Sequence, residues 1–81
     1  MGKKEKLLLK ARNNPGGLRF DQFETLMDQC DWTFDHQSGS HRIWYSPKGT
    51  RLPVQPKGAY AKEYQAKQFL FIYDLEQNDG I

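Results

Sequence analysis

The residue types that could do chemistry gather between Trp32 and Leu70, around the tripeptide Gly39-Ser40-His41. The order there is Asp31-Trp32-Thr33-Phe34, then Ser38-Gly39-Ser40-His41-Arg42-Ile43-Trp44-Tyr45, then Ser46-Pro47-Lys48-Gly49. A Gly-Ser turn between two alternating runs delivers a histidine onto a strand. Histidine exchanges a proton near neutral pH, which makes His41 a candidate general base. Ser40 suits shaping the turn and binding a phosphate better than attacking anything. Residues 36–67 hold six cations (Arg42, Lys48, Arg51, Lys57, Lys62, Lys67) against Glu63 alone. Cations at that density suit a phosphate backbone. Ser40, Arg42, Lys48, Arg51, Lys57 and Lys62 are therefore candidate contacts to a polyanion.

Other groups fit less chemistry. His36 lies five residues before His41. A metal pair or an acid–base pair is conceivable, but no carboxylate or cysteine stands at ligand spacing with both, and His36 reads as a bystander. Cys30, the single cysteine, excludes an intramolecular disulfide or a cysteine zinc cage and fits a reducing compartment. No metal or cofactor is expected. No apolar run approaches the roughly 20 residues needed to span a bilayer. Leu7-Leu8-Leu9 is too short for a signal peptide, and Lys6 breaks the myristoylation pattern. The expectation is a cytoplasmic protein with no membrane contact.

The chain's +2 net charge conceals segregation. Residues 1–19 carry +5, 20–35 carry −5, 36–67 carry +5 and 68–81 carry −3. Such blocks suggest one basic face on the sheet and its flanks, with an acidic helix elsewhere.

The positioning elements can be read from periodicity. At 81 residues, a chain buries about 60% of its unfolded surface, so one core of helices on a sheet is the limit. Residues 4–12 read as a short helix with Leu7, Leu8 and Ala11 inward, ended by Asn13-Asn14-Pro15-Gly16-Gly17. Asp21 and Glu24 resemble a capping box. Phe23, Leu26, Met27 and Cys30 then form one apolar face of a helix over about 22–30, with Cys30 a small buried hydrophobe. From Trp32 the period is two, with Trp32, Phe34 and His36 on one face. Residues 41–46 return as a strand on which Trp44 and Tyr45 face opposite ways, one for the core and one free to stack a base. Pro47-Lys48-Gly49 turns, and Arg51 to Gln55 is a third strand placed at an edge by Pro53. Pro56-Lys57-Gly58 is a loop, and a last helix runs from about Lys62 to Gln77. Its apolar residues cover well over half its circumference, more than one sheet face needs. Tyr64, Phe71 and Leu75 fall in one sector, either under the first helix or in contact with a protein partner, which the basic surroundings would make acidic.

Together these residues resemble the HicA family, small toxins of type II toxin–antitoxin pairs that act as ribonucleases on mRNA. The resemblance covers about Phe20 to Leu75. It rests on Asp31-Trp32, Gly39-Ser40-His41, Pro47-Lys48-Gly49, Ala61-Lys62 with Tyr64-Gln65, and upstream Asn14-Pro15 with Arg19-Phe20. It implies an α+β fold similar to a double-stranded-RNA-binding domain: α-β-β-β-α, a small three-stranded antiparallel sheet with helices on one face. Here an extra N-terminal helix is added. Residues 1–81 would form one domain, with 1–19 a basic helix and loop and 20–77 the core. The resemblance also implies that His41 is needed for RNA cleavage, that mRNA is the polyanion, and that a HicB-like antitoxin covers the site. The chain departs from many members at Arg42, where they have a second histidine, and at Gln55 and Pro56, where some place another. Two alternatives therefore stand beside a metal-independent endoribonuclease: a non-catalytic RNA-binding module, and an inactive partner-binding relative.

Overall fold

The burial of one apolar stripe per helix against one face of a small sheet decides the architecture. The computed structural model describes residues 2–77. Its order is α1 (Lys3–Asn13), a 3₁₀ turn (Pro15–Gly17), α2 (Phe20–Gln29), β1 (Thr33–Ser38), β2 (His41–Tyr45), β3 (Arg51–Val54), the two-residue strands β4 (Pro56–Lys57) and β5 (Tyr60–Ala61), and α3 (Glu63–Gln77). The main sheet is antiparallel in the order β1-β2-β3. This is the expected α+β arrangement, with α1 added in front.

The α2 stripe is buried as its spacing predicts: Phe23, Leu26 and Met27 are fully enclosed and Cys30 nearly so. Phe69 of α3 is the hub they meet. Its ring lies 5.8 Å from Phe23 edge-on, 5.1 Å from Trp32 and 6.0 Å from Tyr73, spacings at which aromatic pairs add to simple burial. Trp44, Leu52 and Val54 close the core from the sheet side, and Leu7 and Ala11 from α1.

Helix α2 stops at a Schellman motif. Trp32 N–H donates to Met27 O at 3.0 Å and Asp31 N–H to Asp28 O at 3.1 Å, with Asp31 in the left-handed region at φ 68°. This cap turns the chain so that Trp32 drops into the core as β1 begins.

Three sequence expectations are corrected. The helix does not start on an Asp21–Glu24 box. Arg19 is the cap, and its N–H donates to Gln22 Oε1 at 3.2 Å while Asp21 Oδ1 accepts from Gln22 N–H at 2.8 Å. The guanidinium of Arg19 has no acceptor, so only half of a box can form. Pro56-Lys57-Gly58 is not a plain loop: Pro56 and Lys57 form β4, which pairs with β5 around Gly58, at φ 63°, and Tyr60 bridges back to Arg19. Finally, β1 is not regular. Its register shifts between Phe34 and His36, so Phe34 opposes Trp44 while His36 opposes Ile43.

Helix α1 is fastened to α3 by a bidentate pair, with Arg12 donating to the two Asp74 oxygens at 2.7 and 3.0 Å. Hydrogen bonding to Arg12 holds the Asp74 carboxyl below its ordinary value. A carboxylate depressed on folding stabilises the protein above its unfolded pKa, about 4, and that stability is lost as pH falls through the folded value. The pair is half-exposed and screened by solvent. Asp74→Asn should therefore lower neutral-pH stability by no more than about 1 kcal/mol. The gap to the parent should close in acid, as read from thermal melts at pH 7 and near pH 2.

Candidate active site

The sheet has two unlike faces, and the register assigns each side chain to one. Residues directly opposed across an antiparallel pair share a face. Phe34, Gln37, Arg42, Trp44, Leu52 and Val54 therefore lie towards the helices. His36, Ser38, His41, Ile43, Tyr45, Arg51 and Pro53 lie on the open face.

His41 is the first residue of β2, opposite Ser38, at a hairpin whose central residues are Gly39 and Ser40. Gly39 has φ 61°, the positive value that a type II′ connection needs at its first position. An imidazole delivered this way is exposed yet fixed at its base by the ladder. Ser38, His41, Ile43, Arg51 and Pro53 line one pocket of about 220 Å³. That is below the roughly 300–1,000 Å³ of small-molecule sites. Ile43, 1% exposed, forms its apolar floor.

The expected phosphate contacts separate. Arg51 joins His41 in the pocket. Ser40 sits exposed in the turn, and Lys48 in the Ser46–Gly49 turn at the far end of β2. Lys57 and Lys62 line a second concavity of about 590 Å³ with Glu63, Tyr64 and Lys67. Arg42 is directed to the helical side. Its Nε–H donates to Glu24 Oε2, its guanidinium lies 4.2 Å from the Phe34 ring centroid, and its Nη1 donates to Gln37 Oε1 at 3.2 Å. Gln37 Nε2 in turn donates to Gly39 O at 3.1 Å. A chain of contacts thus runs from α2 through Glu24, Arg42 and Gln37 to the turn that carries His41. Sequence reasoning missed Glu24, which it assigned to a helix cap. A signal was present in its position, an acid directly following Phe23 of the buried stripe and eighteen residues before Arg42.

Tyr64, Phe71 and Leu75 are all exposed, between 58% and 68%. They are not under α1, which reaches the core through Leu7 and Ala11. Tyr64 and Phe71 line a groove of about 440 Å³ between α3 and the free edge of β3, together with Arg51, Leu52, Pro53, Lys67, Gln68 and Ile72. Arg51 and Pro53 belong to both this groove and the His41 pocket. Cys30 takes no part: it is buried, and desolvation pushes its thiol up to about 11, far from a nucleophile's range. Among the described residues no group of three or more His, Cys, Asp or Glu could hold a metal ion, and no helix is long and apolar enough to cross a membrane.

Helices stacked on one face of a three-stranded antiparallel sheet, with a histidine and an arginine meeting on the other, define a small α+β protein of the double-stranded-RNA-binding-domain type. Residues 20–77 match the family model of the HicA toxin of bacterial toxin–antitoxin pairs, and the chain belongs to that family. It is a toxin of such a pair, and membership implies an antitoxin as its partner. Neither the curated proteins nor the solved structures held a match.

The Glu24 contacts generate a stability prediction. Glu24→Ala leaves the half-buried Arg42 and the Trp44 N–H, which donates to Glu24 Oε2 at 3.1 Å, without their acceptor. A loss of about 2–3 kcal/mol is expected. Glu24→Gln keeps an acceptor oxygen and should lose about half as much. Urea midpoints at unchanged m-value measure both.

Proposed function

We propose that this toxin is a metal-independent endoribonuclease that cuts mRNA in the cytoplasm with His41 as general base. The observation that carries the reading is the shared pocket of His41 and Arg51 on the open face. Cleavage of RNA needs a proton removed from a 2′-hydroxyl so that its oxygen attacks the adjacent phosphorus. His41 supplies the base, and a placed base contributes roughly 10²–10⁴ in rate. Arg51, whose guanidinium suits phosphate geometry, stabilises the charge that grows on the phosphoryl oxygens. Ser40, Lys48, Lys57 and Lys62 hold the strand on either side. Arg42 serves the turn rather than the phosphate. Residues 1–81 act as one unit, with 1–19 supporting the core.

The experiment is cleavage of an unstructured RNA by the parent protein and by His41→Ala, with circular dichroism as the folding control. A loss of roughly 10²–10⁴ with an unchanged spectrum is expected, and EDTA should leave the parent rate unaltered. Equal rates for the two proteins would remove His41 from the mechanism. RNA binding without any turnover by the parent would favour a non-catalytic module.

The cognate antitoxin, a HicB-like acidic partner, occupies the groove of Tyr64 and Phe71 and reaches the exposed Leu75 further along α3. Because Arg51 and Pro53 wall both sites, a partner seated there also obstructs His41. The exposure of the three apolar side chains favours this surface. Phe71→Asp and Leu75→Asp should weaken antitoxin binding by at least about 1 kcal/mol each and leave the isolated toxin folded, as measured by calorimetric titration and thermal melts. Unfolding of the isolated toxin would place both residues in its own core.

A further inference from the structure

The bulge at Asp35 brings a second histidine to the face of His41. In a regular strand Phe34 and His36 would point the same way. Here Phe34 opposes Trp44 and His36 opposes Ile43, which are neighbours on β2 and so face opposite sides. Bulges re-aim side chains in this manner and are frequent beside active sites. Beyond the bulge the register is regular, with Gln37 opposite Arg42 and Ser38 opposite His41. His36 and His41 therefore occupy diagonal corners of one face, positions usually about 7–8 Å apart, with Cβ atoms somewhat closer. Ser38 and the buried Ile43 fill the other two corners.

The His36 ring is also oriented. Asp35 Oδ2 lies 2.6 Å from His36 Nδ1. A carboxylate engages this nitrogen as an acceptor, which leaves Nε2 for a substrate. The side chain is 54% exposed and open to a bound strand.

We propose that His36 is the general acid that works opposite His41. This rests on the reading of the chain as a ribonuclease. As the 2′-oxygen bonds to phosphorus, His41 takes the 2′-hydroxyl proton. As the bond from phosphorus to the 5′-oxygen breaks, His36 Nε2 gives its proton to that departing oxygen. The products are a 2′,3′-cyclic phosphate and a 5′-hydroxyl. His41 ends protonated and His36 neutral, and exchange with water restores both. In-line displacement puts the entering and leaving oxygens on opposite sides of phosphorus, so acid and base must stand apart on one surface. Diagonal corners meet that requirement, whereas adjacent residues of one strand point to opposite faces.

The test uses two substrates with the full chain: an RNA dinucleotide, whose 5′-alkoxide needs a proton to leave, and a nucleoside 3′-(4-nitrophenyl phosphate), whose phenolate does not. His36→Ala should lose roughly 10²–10⁴ on the dinucleotide and keep the parent rate on the aryl ester. It should also lose the alkaline limb of the kcat/KM profile on RNA. His41→Ala should fail on both substrates. Equal losses of His36→Ala on the two esters, or no loss on RNA, overturn the assignment. A parent that cuts both and depends on His41 alone leaves the ribonuclease reading standing and removes only this inference. A parent inert on both overturns that reading and this inference together.

Discussion

One carboxylate oxygen, Glu24 Oε2, ties the helical layer to the strand that carries His41. It accepts from the Arg42 guanidinium and from the Trp44 indole, two donors on β2 that share the covered face. Half-buried charges persist only when paired and hydrogen-bonded, and this pairing fixes how α2 lies across β2. Arg42 then extends the constraint through Gln37 to Gly39 O. The turn that would otherwise fray at a sheet edge is thereby held from beneath, while His41 above it stays exposed. A site built on packed strands is more exact than one built on a free loop.

The consequence is a division of labour between the faces. The covered face spends its aromatic and charged groups on fastening, with Phe69 as the packing hub and Glu24 as the polar one. The open face presents His36, His41, Tyr45 and Arg51. Arg51 and Pro53 sit where the open face turns onto the groove beside α3. The histidine pocket and the groove therefore share one wall.

Much of this was legible in the sequence. The α2 stripe at Phe23, Leu26, Met27 and Cys30, the glycine at the hairpin, the edge position of β3 and the surplus apolar surface of α3 all follow from periodicity and turn chemistry. Three features were not, each for the same reason. The bulge at Asp35 depends on how many residues β2 offers for pairing, and no local pattern records that. Arg42 alternates to the opposite face from His41, but its partner lies eighteen residues away on a helix, so the residue looked like a free cation. Glu24 looked like a cap because capping is a local rule, and its actual partners are set by tertiary packing. Local chemistry was readable; the partners across the sheet were not.

On the proposed function, RNA is cut by attack of its own 2′-oxygen, with a histidine and an arginine at the site. The ends of the products are the decisive measurement. An RNA cut by the toxin should carry 2′,3′-cyclic phosphate and 5′-hydroxyl termini by mass spectrometry, and a single 2′-deoxy nucleotide 5′ to the cut should abolish cleavage there. Products ending in 3′-hydroxyl and 5′-phosphate, formed equally at the deoxy position, would rule out attack by the 2′-oxygen.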